Sequence, residues 1–334
     1  MKIIALAVFL TLISAPSVLY AQDSVRIRAA HFSTVTHAPA LVARARRSFE
    51  SAFQGKAFVE WQVFNAGPEA IEALFANAID ILYVGPNPAV NGFVRSGGAA
   101  LHVVAGVASG GSAFLVRPEA GIERFEDIHG RRVSAPQVGN SQDVALRYLM
   151  KEKNLAPKNY GGDVELFHIT GGDQLTAMVK GEIDGIWTVE PWVSRLEEEA
   201  GARILFHESE LWPGGKYATA LLAVRKRFAG EHPDLVAQWV QIHMGVIDWM
   251  NQNRAEAKTL FNEELKRETG KALPDVYLDR SFERVTFTYE PMESSVLRSA
   301  EHARELGFLG RGHTPFDGLY ALSFFESVSK EKHN

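Results

Sequence analysis

Three kinds of chemistry have residues to carry them in this chain: metal ligation by histidine, acyl transfer by a serine–histidine pair, and anion recognition at helix starts. The 11 histidines are dispersed. No two share HExxH or facial-triad spacing, so no metal site is expected. His243 falls on an apolar helix face and reads as a core histidine. Ser33 and His37 are near neighbours, but no third group stands by to orient the imidazole and no GxSxG elbow occurs. Cysteine is absent, which removes thiol catalysis, disulfides and cysteine-ligated metals together. Asp80 and Asp184 read as turn-capping residues at strand starts, and no GxxxxGK or GxGxxG run follows a strand.

The anion reading has a pattern behind it. In Ser134-Ala-Pro-Gln-Val-Gly-Asn-Ser-Gln-Asp143 a short strand turns at Pro136 and Gly139 into a helix, with Asn140 or Ser141 placed as its cap. Such a corner aims unpaired backbone N–H groups and the positive end of the helix dipole at one spot. Gln137, Gly139, Asn140, Ser141 and Gln142 surround that spot and suit a small oxyanion. The corner recurs. Subtracting 104 from each number places it on Ser33-Thr-Val-Thr-His-Ala-Pro39, where Ser33, Thr34 and His37 take the equivalent places. The same offset carries Gly171 onto Gly67, Ile183-Asp184 onto Ile79-Asp80 and Trp187 onto Tyr83. Two βαβαβ lobes of like design are therefore expected, each offering a corner to a shared cleft. Asn87 and Glu190 follow equivalent strands, at the carboxyl ends where open α/β sheets hold ligands. Trp192, with Phe32, Tyr83 and Trp187, supplies an apolar wall, and Lys216 is a candidate cation.

Around these corners the spacing predicts strands over 25–30, 58–64, 79–84 and 101–107, and helices over 40–53, 67–77 and a segment after Pro88. Residues 109–112 make a flexible turn, with Gly111 and Ser112 bordering the site, and 113–117 is the first strand of the second lobe. Strands at 132–133, 164–169 and 183–188 follow, each but the first leading toward a helix start at 171 or 192. Residues 220–224 look like the return crossing. Beyond His232-Pro233 the chain reads as helices over about 232–250, 255–268, 276–285 and 293–306, a brace against lobe one.

The chain has 334 residues, 46% hydrophobic and 22% charged, enough for two globular lobes. Residues 1–21 read as a secretory signal peptide, with Lys2, an apolar run and a small-residue site before Gln22. Its loss takes the formal charge from −5 to −6. A mildly acidic chain is a poor partner for nucleic acid. The division expected is 22–112 with 218–334 as lobe one and 113–217 as lobe two.

The sequence resembles the periplasmic substrate-binding components of nitrate/sulfonate/taurine-type ABC importers. The likeness rests on Ile79-Asp-Ile-Leu-Tyr-Val-Gly85 with Asn87-Pro88, on Gly130-Arg-Arg-Val-Ser-Ala-Pro-Gln-Val-Gly-Asn-Ser-Gln-Asp143, on Val189-Glu-Pro-Trp192 and on Glu231-His-Pro-Asp-Leu235. It is closest to the aliphatic-sulfonate branch. The resemblance implies a type II binding-protein α/β fold, two lobes joined by a two-strand hinge, and no chemistry on the ligand or cofactor. Enzymes of similar fold that cleave a carbon–sulfur bond use a cysteine, which this chain lacks. It further implies a periplasmic monomer that closes on a sulfonate, or next a nitrate or taurine-like solute, and delivers it to an inner-membrane permease. A thiamine-precursor pyrimidine, or a sensor or enzyme acting on a small anion, are the alternatives.

Overall fold

The computed structural model describes residues 24–310 and 315–326; the expected signal peptide lies outside them. From the first described residues the chain runs through β1 (Val25–Phe32), α1 (Ala38–Ala45), α2 (Ser48–Ala52), β2 (Ala57–Phe64), α3 (Gly67–Phe75), β3 (Ile81–Val84), α4 (Pro86–Arg95) and β4 (Leu101–Gly110). It then crosses to β5 (Ser112–Val116), β6 (Arg132–Ala135), α5 (Ser141–Glu152), β7 (Glu165–His168), α6 (Gly171–Val179), β8 (Gly185–Val189), α7 (Trp192–Ala200) and β9 (Arg203–His207). It returns along β10 (Ala218–Arg225) and finishes with α8 (Lys226–Glu231), α9 (Pro233–Gln252), α10 (Arg254–Thr269), α11 (Asp275–Arg284), β11 (Val285–Phe287) and α12 (Glu293–Glu305).

These strands form two sheets, ordered β11-β4-β10-β3-β1-β2 and β7-β6-β8-β5-β9. In each, three parallel strands (β2-β1-β3 and β7-β6-β8) meet an antiparallel one, β10 or β5, that has crossed from the other lobe. The register repeats as well. Ala29 lies opposite Ile81 and Val133 opposite Gly185, a step of 104 on both partners. Helices cover both faces of each sheet, so β3 and β10 up to Val224 are buried continuously rather than at alternate residues.

Packing follows from that layering. One face of the larger sheet is filled by Leu41, Phe49, Trp239, Val240 and Phe261 from α1, α2, α9 and α10. The Phe49 and Trp239 rings stack at 3.7 Å. The other face takes Ile71, Leu74, Val90, Phe93 and Val296 from α3, α4 and α12. Each such buried side chain stabilises by about 1.5–3 kcal/mol. The second sheet has two smaller clusters, around Phe114, Trp187 and Leu146 and around Leu115, Ile186 and Leu196.

Asp80 and Asp184 do more than cap turns. Arg28 donates from its backbone N–H (3.0 Å), Nε (2.8 Å) and Nη2 (2.7 Å) to Asp80. Arg132 repeats the same three bonds to Asp184, at 3.0, 3.1 and 2.8 Å. A second arginine joins each, Arg225 from β10 and Arg117 next to β5. The clamp ties the first, third and crossing strands of each lobe at the end away from the cleft.

Four expectations change. The helix over 40–53 breaks at Arg47, which takes φ +52° and splits it into α1 and α2. The β9 strand was not foreseen, because Arg203-Ile-Leu-Phe-His207 is a half-buried edge without clean alternation. The last residue of the expected 276–285 helix, Val285, leaves it instead, as β11 adds an edge strand beside β4. The C-terminal helices brace both lobes, since α12 packs on α5 and α11 on α7. Among the described residues no helix is long and apolar enough to cross a membrane.

Candidate functional site

The chain crosses between sheets at Gly110–Gly111 and again at Tyr217–Ala218. Both glycines hold positive φ, +79° and +73°. A Cβ on Gly110 would meet the Arg284 carbonyl at 2.6 Å, and one on Gly111 the Val285 side chain at 2.4 Å. Gly111 and Ser112 therefore serve the crossing and do not line the cleft. The Gly111 carbonyl accepts from the Glu190 N–H (2.8 Å), and the Ser112 hydroxyl accepts from the Trp187 indole (3.0 Å).

The two corners do face one another. Between the lobes lies a cavity of about 70 Å³, well below the roughly 300–1,000 Å³ of sites for drug-sized molecules. Lobe one supplies Phe32, Thr34, Thr36, His37 and the start of α3; lobe two supplies Pro136, Asn140, Ser141, Gln142 and the start of α6. Seven pairs of lining residues are related by the offset of 104: Phe32 and Pro136, Thr36 and Asn140, His37 and Ser141, Ala66 and Thr170, Gly67 and Gly171, Gly85 and Val189, Pro88 and Trp192. The duplication seen along the chain is thus a pseudo-symmetry of the cleft wall.

Helix starts dominate that wall. The cap positions of α3, α5 and α6 are Ala66, Asn140 and Thr170, and none makes a side-chain capping bond. Apart from the Asp173 N–H, which donates to the Thr170 carbonyl (3.2 Å), and Pro68, which has none, their first-turn N–H groups are left for water or a ligand, each helix favouring a negative guest by roughly 0.3–2 kcal/mol. The expected capping role of Asn140 is absent; its side chain lines the cavity instead. Ser141 accepts at Oγ from the Asn87 N–H across the lobes (3.3 Å), a contact that needs Gly85 bare, since a Cβ there would sit 2.9 Å from that oxygen.

His37 is fully buried. The Thr34 hydroxyl lies 2.8 Å from Nδ1, and Nε2 has no hydrogen-bond partner. Burial first, then the neighbouring His31, push its pKa down to about 3, with a weak opposing pull from the Tyr83 carbonyl. The imidazole is therefore neutral at physiological pH, with one of its two nitrogens protonated. Among the described residues the ring's partners are the Thr34 and Thr36 hydroxyls and no carboxylate. On the facing side the Gln174 amide nitrogen is also buried and unpaired, while its oxygen accepts from the Thr188 hydroxyl (2.8 Å).

Other expected site residues stand behind the wall. Ser33 turns away to donate to Glu268 (2.6 Å). The Asn87 amide donates to Ser299 (2.7 Å). Gly139 donates its N–H to Asp143 (2.9 Å), which also binds Arg147 and His168. The Gln137 side-chain oxygen is buried without a partner, outside the cavity lining. Glu190 is wholly buried and receives Ser194, Ser281 and Arg284, knotting α7 to α11 across the lobes. Lys216 is exposed and Tyr217 buried beside the crossing, neither lining the cavity. Of the aromatics, Phe32 and Trp192 line it, whereas Tyr83 and Trp187 are core.

Sequence reasoning missed Asn65, Thr170, Gln174, Thr188 and Thr219. Gly67 and Gly171 had already been paired as helix starts, and that pairing was the available signal for the residues beside them.

The profile of the NMT1-like family matches residues 21–262. A protein of Bacillus subtilis (strain 168), provisionally named an aliphatic sulfonates-binding protein, is 25% identical over 230 residues, 67% of this chain. The taurine-binding periplasmic protein of Escherichia coli (strain K12) is 26% identical over 198 residues, 59% of this chain. The matches span 66% and 58% of those relatives. Among solved structures, the alkanesulfonate-binding protein SsuA from Xanthomonas axonopodis pv. citri, bound to MOPS, superposes with TM-score 0.69 at 20% identity, over 85% of this chain and 92% of that one. That likeness shows the fold, the two-lobed α/β architecture seen in periplasmic binding proteins.

Proposed function

The chain belongs to the NMT1-like family, and from that premise we propose that it is the solute-binding component of an ABC importer, capturing a small sulfonate-type oxyanion between its lobes. The observation that carries this is the cleft wall, in which uncapped helix starts from both lobes converge on one small cavity. A ligand touching both lobes at once favours the closed form by its differential affinity, and by nothing else. Lobe two swings about the paired crossings at 110–112 and 217–218, a hinge closure of the binding-protein kind. The closed protein, exported to the periplasm, delivers its solute unchanged to a membrane permease. The relatives' names, binding proteins for sulfonates and taurine, support the same class.

The test is a thermal-shift and calorimetry panel of alkanesulfonates, nitrate, bicarbonate and pyrimidines. A sulfonate at 100 times its Kd should add about 2.7 kcal/mol of stability. Asn140→Ala should weaken it roughly tenfold or more, the loss of one hydrogen bond to a charged group, and leave the unliganded melting temperature nearly unchanged. Unaltered affinity in that variant would remove the site from this cleft, and turnover of the bound compound would make the protein an enzyme.

A further inference from the structure

Among the described residues the cavity wall contains no aspartate, glutamate, lysine or arginine. Charged groups do stand directly behind it, and each already has a partner. Asp143 is bonded by Arg147 (2.8 Å), His168 (3.0 Å) and the Gly139 N–H. Glu190 faces Arg284 (3.0 Å) with Ser194 and Ser281. Glu268 takes Ser33, His31 and Arg44, and Arg195 forks onto Glu199 at 2.6 and 3.1 Å while lying over the Trp192 ring. What remains free to meet a ligand is neutral. The Gln174 amide presents an unpaired nitrogen donor and His37 an unpaired Nε2, from side chains only 0% and 4% exposed, joined by Asn140, Ser141 and the helix-start N–H groups.

We propose that this cleft selects a monoanion whose remaining atoms carry no charge, a short alkanesulfonate, and rejects the zwitterionic aminosulfonate of the same length. The selectivity rests on the sulfonate reading above and refines it. A sulfonate needs only donors, and the wall is rich in them. An ammonium two carbons away needs an acceptor carboxylate once it leaves water, and the nearby acids are all engaged. A cavity this small keeps both ends of the same solute inside. A second negative charge would likewise find no cation, so sulfate is disfavoured on the same ground.

Three solutes of one length separate the tail's charge from its size: ethanesulfonate, isethionate (the 2-hydroxy analogue) and taurine (the 2-amino analogue), titrated calorimetrically at pH 7.5 in 0.15 M salt. Ethanesulfonate and isethionate should bind, with taurine at least tenfold weaker than ethanesulfonate. Taurine within tenfold of ethanesulfonate overturns the selectivity and leaves the sulfonate reading standing. No binding of any of the three overturns the sulfonate reading itself, whatever else binds. Gln174→Glu places an acid in the wall and should narrow or invert the ethanesulfonate-to-taurine ratio. A folded variant that keeps the wild-type ratio also overturns the proposal, and the wild-type series decides the matter if the variant does not fold.

Discussion

The two lobes share a skeleton and differ in what holds it. Strand order, register and the arginine–aspartate clamp repeat at a constant offset. The corners that face the ligand are anchored differently. In lobe two, Asp143 is wholly buried and grips the turn through the Gly139 N–H, braced by Arg147 and His168. The positions 104 earlier are Pro39, Ala43 and Phe64, so lobe one lacks that cage; its corner packs beside a large core and is tied through Ser33 to Glu268, a residue of the distant α10. Lobe two has a thinner core and anchors its turn from within the turn's own helix, at Asp143. One donor geometry thus has two supports, a local carboxylate in lobe two and a distant one with a large core in lobe one.

The clamp tests how far the likeness goes. Asp80→Ala and Asp184→Ala each leave two arginines facing an emptied, buried site, and each should cost roughly 3–5 kcal/mol in urea unfolding. Near-equal losses are expected, and a large inequality would break the equivalence of the lobes. Burial pushes the Asp184 carboxyl up, but Arg132, its backbone N–H and Arg117 outweigh that and hold it at about 2. Its contribution is present above the ordinary carboxylate range and lost only as pH falls through about 2.

Milder acid should separate the lobes. His37 and His243, both in lobe one, are buried neutral, at about 3 and about 4, mainly through desolvation. The unfolded chain binds protons there from pH 6.5 downward while the native state does not, so acidification destabilises. By pH 5 the loss is about 2 kcal/mol per histidine. Glu208 in lobe two runs the other way. Desolvation raises it despite bonds from Ser112, Trp187 and Trp212, so lowering the pH toward 4.5 relieves the burial of its charge. Hydrogen-exchange protection compared at pH 7 and pH 5 should fall in lobe one and hold or rise in lobe two; a uniform fall would contradict the assignment.

Why the repeat was readable and parts of the site were not follows from what each is made of. The offset survives in residue types that punctuate structure: Gly67 and Gly171, Asp80 and Asp184, the two corners. Those fix turns and strand starts, so the two-lobed α/β fold was legible. The cleft wall, by contrast, uses backbone N–H groups and small residues such as Ala66 and Gly85, which carry no chemical signature. Glu190 drew notice as a charge after a strand, yet its partners Ser281 and Arg284 lie some ninety residues away and only tertiary structure brings them in. β9 and β11 are edge strands whose pairing is set by neighbours rather than by their own pattern.

The corner anchors allow a smaller, sharper contrast. Asp143→Asn keeps shape and removes the charge from three bonds, and should cost roughly 1.5–3 kcal/mol of stability with a matching loss of ligand affinity. Pro39→Ala, at the equivalent place, loosens only the unfolded chain and should change stability by about 0.4–1 kcal/mol. Chemical denaturation with calorimetry on both variants measures this, and equal losses would mean the ion cage does nothing that packing does not.

The smallest effect concerns closure itself. Lys151 of α5 and Glu305 of α12 pair across the lobes at 2.7 Å, but both are about half exposed, 51% and 47%. Beside them Tyr148 and His302 stack at 3.5 Å, so the helices meet with or without the ion pair. An exposed pair of this kind contributes little in water. Because it joins the lobes rather than stabilising either one, that energy should appear in ligand affinity and not in unfolding. Lys151→Ala should therefore weaken binding by a few-fold at most in low salt. The difference from wild type should vanish near 1 M salt, where the screening length is about 3 Å. A larger loss, or one that salt does not erase, would mean the outer seam of the cleft is held by charge, as the Glu190–Arg284 knot holds α7 to α11.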